Sequence, residues 1–461
     1  MRKDTRGEQR TWAYRTFGGL RAGNTRRGRR VVDMAAGIAA RAAGTVTQVF
    51  DDSADREGAY RLLSNDAVTS EALIGAMGES CAAECREHER VFVAVDGSSL
   101  GLSDNAGARD IGGVGDWTHG GRGLHVITAL ALDLAGVPIG VCAQTWWARK
   151  HRSPSHVGRR PLATKETRYF VKTVVDAHAR LSSEAPQTKA IFLMDRGFDC
   201  WPVLELASRS VRMVVRAQYN RRLAPDGDHR YLRDALACAP KRGSFLLDVP
   251  ARHGRAARRS KIVVRSRRVT LDLPADGRIV QVTMNALEAR EVNGPKGDAI
   301  CWMLLTTEST TKSEEALEMV RAYAMRWRIE EVHRAWKRGG CNVENTQLRS
   351  REGLIKWATL HVAVATRSVR LARLSRETPE VPASQEFTQD EIDGAIVLRR
   401  RRTKLRMGDV PSLAEVVRLV ADLGGYTGKS SGGPPGPTVI ARGLERIATA
   451  ALVIASMREK E

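Results

Sequence analysis

Apolar residues recur at helical spacing over residues 1–70. TRRGRRVVDMAAGIAARAAG (25–44) opens on an arginine cluster and continues as an Ala-rich amphipathic helix ending at Gly44, and REGAYRLLSN (56–65) predicts a second, short helix. From about residue 90 the period changes. RVFVAVDGSSL (90–100) is a β-branched apolar run that stops at Asp96 and turn residues, which predicts a buried strand. GLHVITALAL (123–132) and PIGVCAQTWW (138–147) predict two more strands, TKETRYFVKTVVDAHARLSS (164–183) a helix, KAIFLMDRGFDCW (189–201) a strand ending at Asp195, and VRMVVRAQ (211–218) another short strand. Strands, then a helix, then strands again predict a mixed α/β sheet. Residues 218–300 are basic and strand-rich with turn signals, and predict an inserted β subdomain. AICWMLLTTE (299–308) is an apolar strand. Helices follow at YAMRWRIEEVHRAWKRGG (323–340) and EGLIKWATLHVAVATRSVRLARL (352–374). The segment SRETPEVPASQEF (375–387) marks a boundary near residue 380. Beyond it come LRRRRTKLR (398–406), a GKSSGGPPGP linker (428–437) and a final apolar helix over 438–457, suited to packing on its own chain or on a second subunit.

Composition narrows the class of partner. The 461 residues suffice for two to four domains, and 42% hydrophobic content is that of an ordinary globular protein. Lys and Arg number 74 against 53 Asp and Glu, a net charge of +21. Such a surplus favours a polyanion, and binding that weakens steeply with salt. The longest apolar candidate for a membrane span, residues 124–143, carries His125, Asp133 and Pro138 and predicts two strands instead. The basic N-terminus has no apolar run behind it and is no secretory signal. Seven scattered cysteines without a CxxC pair exclude a zinc or disulfide framework and suit a reducing compartment.

Candidate chemistry lies on the 323–340 helix. At about 100° per residue, Arg326, Glu330 and Lys337 fall within about 60° of Tyr323, while Met325, Ile329, Val332 and Trp336 occupy the far side. The apolar stripe faces the core, so the polar quartet faces outward or into a cleft. Alone, it is equally a surface salt-bridge cluster. Two further acids, Asp96 and Asp195, each stand where a buried strand is predicted to stop, a rigid place for a functional carboxylate. Three carboxylates of this kind suit Mg²⁺ or Mn²⁺, and a pair of such ions serves in-line displacement at phosphorus.

Three segments resemble the DDE transposases of bacterial insertion sequences, in particular the insertion-sequence-four family that includes the transposon-five transposase. VAVDGSSL (93–100) resembles the first-acid segment, and MDRGFD (194–199) the second. Tyr323, Arg326, Glu330 and Lys337 meet the spacing of the family's Tyr-Arg-Glu-Lys signature. Weaker likeness extends to REGAYRLLSN and to DLGGYTGK (422–429).

The resemblance implies an RNase H-like mixed sheet as catalytic core, with a β-rich insertion before the Glu helix. The expected domains are a helical DNA-binding domain over 1–70, a catalytic domain over 71–380 with its insertion at about 218–300, and a helical C-terminal domain over 381–461 that is a candidate for dimerisation. Asp96, Asp195 and Glu330 are then the catalytic metal ligands, holding two Mg²⁺ ions, with Mn²⁺ as substitute. The implied reaction is cut-and-paste transposition: nicking at each transposon end, a hairpin, its opening, and strand transfer. Arg326, Lys337 and Tyr323 are expected on phosphates. Trp302 occupies the place of an aromatic that stacks an extruded base, and a core Trp is its other reading. Arg216 resembles a DNA-contacting Arg, with a strand-edge salt bridge as the alternative. His333 is expected either on phosphate or simply on the helix surface. Arg26, Arg27 and Arg30 are candidates for reading the terminal repeats. The implied partners are double-stranded DNA, at the terminal inverted repeats and the target, and a second copy in a synaptic homodimer, with no membrane and a cytoplasmic location. A catalytically dead DNA-binding derivative and an RNase H-like nuclease that cuts without joining are the competing classes. A covalent tyrosine recombinase would leave the three acids without a role.

Overall fold

A computed structural model describes residues 10–104, 107–115, 120–149, 161–225, 228–249, 256–295, 297–429 and 433–458. The first nine residues of the expected DNA-binding domain and three residues of the 428–437 linker lie outside these. Five helices come first: α1 (Arg10–Phe17), α2 (Thr25–Ala40), the single turn α3 (Val46–Val49), α4 (Ser53–Leu63) and α5 (Ser70–Cys85). Asn24, Thr45, Asp52 and Thr69 each accept a backbone N–H from the first turn of the helix they precede, which fixes where α2 to α5 begin. The second helix stops at Ala40, one turn short of the expected Gly44. No element is predicted over residues 71–89. The helix found there, α5, buries Leu73, Met77, Cys81 and Cys85 among others and has no single apolar face to read.

The middle of the chain alternates strands and helices. In order they are β1 (Arg90–Gly101), β2 (Gly112–Gly113), β3 (Arg122–Leu132), β4 (Pro138–Trp147), α6 (Thr167–Glu184), β5 (Lys189–Met194), α7 (Trp201–Leu204), β6 (Arg212–Arg216), α8 (Leu232–Ala237), β7 (Lys241–Val249), β8 (Arg258–Ala275), β9 (Arg278–Glu291) and β10 (Cys301–Thr306). They form one mixed sheet in the order β2-β3-β1-β5-β6-β10-β9-β8-β7, with β4 paired to β3. The strands β1, β5 and β6 run parallel, while β3 and β10 flank them antiparallel. This is the mixed sheet flanked by helices expected of an RNase H-like core.

One sequence expectation is corrected here. The first strand does not stop at Asp96. It continues to Gly101 because β3 supplies a partner for every residue from Phe92 onward, whereas its pairing with β5 ends at Val95–Met194. The β-rich insertion expected at about 218–300 is present as β7, β8 and β9. Its long strands β8 and β9 extend the central sheet through β10.

Both faces of the sheet are covered, which is why the parallel strands read as unbroken apolar runs. Alternate residues divide between two cores. Phe92, Ala94, Ile191, Leu193 and Val214 face one core, and Val91, Val93, Val95, Phe192, Met194, Met213 and Val215 the other. The first face is covered from the far end of the chain by α9 (Ser313–Met325), α10 (Arg328–Lys337) and α11 (Arg351–Glu377). The C-terminal helices α12 (Gln389–Leu398), α13 (Leu413–Leu423) and α14 (Pro437–Arg458) build a third core with Leu371 and Ala372 of α11.

The single helix predicted over 323–340 is therefore two. A turn at Arg326–Trp327, tightened by bonds from Arg326 N to Tyr323 O (3.1 Å) and Ile329 N to Arg326 O (3.2 Å), separates α9 from α10. Each helix packs on a different neighbour: α9 on β7 and β8, α10 on α11 and β1.

Candidate acidic site

Asp96 lies two residues beyond Ala94 on β1, so its side chain leaves the sheet on the face that α10 covers. Asp195 follows Met194, the last residue of β5 to pair with β1, so the two aspartates stand at the same level on adjacent parallel strands. Each is held by a backbone amide: Gly97 N–H donates to Asp96 Oδ1 and Gly197 N–H to Asp195 Oδ1, both at 2.8 Å.

The third acid arrives through Arg326. This guanidinium is only 7% exposed, and it donates from one nitrogen to Asp96 Oδ2 and from the other to Glu330 Oε1, each at 2.9 Å. One buried fork thus ties the middle of β1 to the first turn of α10. The Asp96 carboxyl is pushed up to about 6, first by burial and further by the Asp195 and Glu330 charges, against the pull of Arg326 and the Gly97 amide.

The remaining sequence candidates separate into groups. Tyr323 is buried beneath the cluster and does not face an open cleft. Burial pushes its phenol up, against nearby Arg326 and Arg216. Trp302, half-buried on β10, meets the Tyr323 ring edge-on with centroids 5.5 Å apart. Arg216 ends β6, opposite Leu304, close enough for its charge to act on Tyr323. No described carboxylate pairs with Arg216, so the strand-edge salt bridge is not formed among the described residues. Lys337 lies about two turns along α10 from Glu330 and contacts Glu344 at 3.4 Å, whose Oε1 also accepts the Gly101 N–H.

His333 is not on the helix surface. It follows Ile329 by four residues and so shares the buried stripe of α10, where its Nε2 has no hydrogen-bond partner. Burial, with Lys337 and Arg326 nearby, pushes it down to about 4, so it is a neutral imidazole at pH 7.

Arg26, Arg27 and Arg30 stand on α2, away from the acids. Arg26 is exposed, while Arg27 reaches back to the Ala22 carbonyl at 3.3 Å. Arg30 crosses to α4, 4.0 Å from Asp55, and occupies space a side chain on Gly58 would need. It joins two helices as much as it presents a charge.

One residue escaped the sequence reading. Trp327, in the turn between α9 and α10, is 41% exposed, with the Arg326 guanidinium 5.8 Å from its ring centre. The signal available was a large aromatic inside the charged run RWRIEE, which is out of place on either face of one continuous helix.

The donor set is chemically suited to hard divalent cations: three carboxylates, with like charges crowded around Asp96. It is not a closed cage. Among the described residues no three acidic, histidine or cysteine side chains are arranged to hold a metal ion, and Arg326 lies between two of the acids.

Three family models match the chain in succession. Transposase DNA-binding matches residues 9–68, Transposase DDE domain residues 164–366, and Transposase Tn5 dimerisation domain residues 363–458. The DDE match takes in Asp195 and Glu330 but begins after Asp96. The place of Asp96 beside them rests on strand pairing and on the Arg326 bridge. No helix among the described residues is long and apolar enough to cross a membrane.

Proposed function

From a chain that carries the DNA-binding, DDE and dimerisation domains of a Tn5-type transposase, we propose a cut-and-paste DNA transposase of the insertion-sequence-four kind. The observation that carries the proposal is the Arg326 bridge, which brings Asp96 and Glu330, 234 positions apart in sequence, to one place beside Asp195. Asp96, Asp195 and Glu330 are assigned as the ligands of two divalent ions, Mg²⁺ or Mn²⁺, which when bound supply Lewis-acid activation at the scissile phosphate.

The protein's own groups act around that point. Rigid strands hold Asp96 and Asp195. Glu330, on the first turn of α10, shares Arg326 with Asp96 and trades that bond as charge in the site changes. Arg326 and Lys337 are assigned to phosphate oxygens of the bound strand, with Tyr323 fixing Arg326 from below. Trp302, with its ring edge against Tyr323, is assigned to stack a base unpaired during hairpin formation. The reaction sequence is hydrolysis of one strand, attack of the freed 3′-OH on the opposite strand, opening of the hairpin, and attack on target DNA. A second copy, joined through the C-terminal helices, brings the two ends together. Arg26 and Arg27 on α2 are assigned to the terminal repeats.

The test uses full-length protein and DNA bearing the inverted repeats that flank its coding region. Glu330→Ala is expected to abolish Mg²⁺-dependent cleavage and leave binding to the repeats within about twofold. Retained cleavage would defeat the assignment. Strand-transfer products from the unaltered protein are also expected, and a protein that cuts without joining is a nuclease instead.

A further inference from the structure

The run LRRRRTKLR belongs to neither the acidic site nor the N-terminal helices. It forms the connection between α12 and α13, with a 3-10 turn at Arg400–Arg402 followed by an extended stretch. Arg400, Arg401, Arg402, Lys404 and Arg406 are all exposed, and none forms a side-chain hydrogen bond or ion pair with a described residue. Several arginines of the surrounding helices are paired instead. Arg370 meets Glu84 and Glu386, Arg373 meets Glu331, and Arg458 meets Asp390 and Asp393. Five adjacent cations with no counter-charge repel one another, and the only acid nearby in sequence, Asp409, accepts a backbone N–H from Arg406.

The connection is nevertheless built in place. Asp393 of α12 is fully buried, and its Oδ1 accepts the Gly408 N–H at 2.9 Å and the Gln389 amide at 3.0 Å, while its other oxygen pairs with Arg458 of α14. Gly408 has φ +87°, a left-handed conformation that favours glycine. Leu405 turns inward onto the C-terminal core. The segment therefore has inward anchors at Leu405 and Gly408 and directs its charges outward.

We propose that residues 399–406 are a second phosphate-binding surface, which grips the backbone of duplex DNA outside the sequence read by the N-terminal helices. Three consecutive exposed arginines, Arg400 to Arg402, offer planar forks matched to phosphate oxygens. The cations follow a 3-10 turn and an extended strand, not an amphipathic helix that could lie on a lipid surface. The proposal rests on the DNA-transposase reading and adds a surface to it. Because the segment lies within the dimerisation match, a dimer carries it twice.

The test compares the full chain with a variant carrying Arg400→Ala, Arg401→Ala, Arg402→Ala and Lys404→Ala, on a random-sequence duplex across a salt series. Circular dichroism confirms that both fold. The variant is expected to bind at least about tenfold more weakly near 50 mM salt, with a salt slope shallower by about 3.6, as loss of four phosphate contacts requires. Replacing the three arginines by lysine is expected to restore most of the slope. Unchanged affinity and slope in the alanine variant overturn the proposal while leaving the transposase reading intact. Failure of the unaltered protein to bind any duplex overturns both. Unchanged DNA binding with loss of pelleting on phosphatidylglycerol vesicles overturns it in favour of a lipid surface. An Arg400→Glu, Arg402→Glu variant provides a second folded form to measure.

Discussion

At the scale of single residues, the site depends on a cation that is not a metal. Arg326 is buried between two carboxylates, and removing one partner from such a cluster leaves a buried charge uncompensated, typically at a cost of about 3–5 kcal/mol. Lysine keeps the charge but has no fork with which to reach Asp96 and Glu330 at once. Arg326→Lys is therefore expected to lower the rate of DNA cleavage by at least about tenfold with little change in repeat binding, measured in single-turnover assays, and a rate within twofold of the parent would show the bridge to be incidental. His333 makes a prediction of its own. Its folded value of about 4 lies below the ordinary histidine value, so the folded protein binds fewer protons than the unfolded chain between about pH 6.5 and pH 4. The stability this represents, about 3 kcal/mol, is present above pH 6.5 and lost as pH falls through 4. Asp96, raised to about 6, works the other way, its contribution being present below the ordinary carboxylate value and lost as pH rises through 6. Both contributions exist in the parent, so the informative quantity is a difference. Denaturant titrations of His333→Leu and parent should show the parent losing about 3 kcal/mol more than the variant between pH 7 and pH 4. Parallel pH profiles would mean that this imidazole is protonated inside the fold.

At the scale of elements, the turn at Arg326–Trp327 shows both what patterning reveals and where it stops. The stripe Ile329, Val332, Trp336 was legible because 3.6-residue spacing survives within α10. Trp336 is fully buried against Trp146 and donates to the Ala358 carbonyl at 3.0 Å. The break was not legible, because both turn residues keep right-handed helical angles and no Pro or Gly marks them. Asp195 was placed correctly at a strand end because Arg-Gly follows it and the chain turns at once. Asp96 was not, because its Gly-Ser-Ser signal is overridden by pairing with β3, a tertiary fact. The helices α12 and α13 went unpredicted although a side chain marks the start of each: Thr388 with Glu391, and Ser412 with Glu415, are reciprocal capping boxes spelled out in TQDE and SLAE. Helix crossings were invisible. A side chain on Gly443 of α14 would stand 1.9 Å from the Val420 carbonyl of α13, and one on Gly424 would meet the Val439 carbonyl at 1.7 Å, so these glycines let two backbones touch. Gly443→Ala is expected to force α14 off α13 at a cost of about 3 kcal/mol, the upper end for overpacking, since a backbone carbonyl cannot swing aside. The measurement is the denaturation midpoint together with the oligomeric state, and a variant as stable as the parent would mean that the two helices already stand apart in solution.

At the scale of the whole molecule, α11 is the element on which the three parts converge. Its 27 residues run about 40 Å and are buried along most of their length, with the sheet and α10 on one side, the N-terminal bundle on another and the C-terminal core at its end. Polar side chains on this helix seek acceptors in the first 70 residues. Trp357 Nε1 donates to the Gly44 carbonyl at 2.9 Å, and Lys356, only 1% exposed, donates its ammonium to the Leu63 and Asn65 carbonyls at 3.1 and 3.0 Å. Glu352 receives the Ser70 backbone N–H and hydroxyl. These bonds satisfy the last carbonyl of α4, at Leu63, and the first N–H of α5, at Ser70, which the helices themselves cannot, and they fix the expected DNA-reading helices relative to the acidic cluster. A bundle joined only by apolar contact could slide, whereas a buried ammonium between two carbonyls fixes its register. Lys356→Met preserves the aliphatic length and removes the donor, leaving the buried Leu63 carbonyl without this partner at about 1–3 kcal/mol, while the Asn65 carbonyl keeps the Val68 N–H at 3.1 Å. Hydrogen exchange should then accelerate at residues 62–66 while the strands β1 and β5 keep their protection, and DNA cleavage should fall without any change in the acids themselves. Equal exchange in both proteins would mean that the N-terminal helices hold their place by packing alone, and α11 would then be a support rather than the link between DNA reading and chemistry.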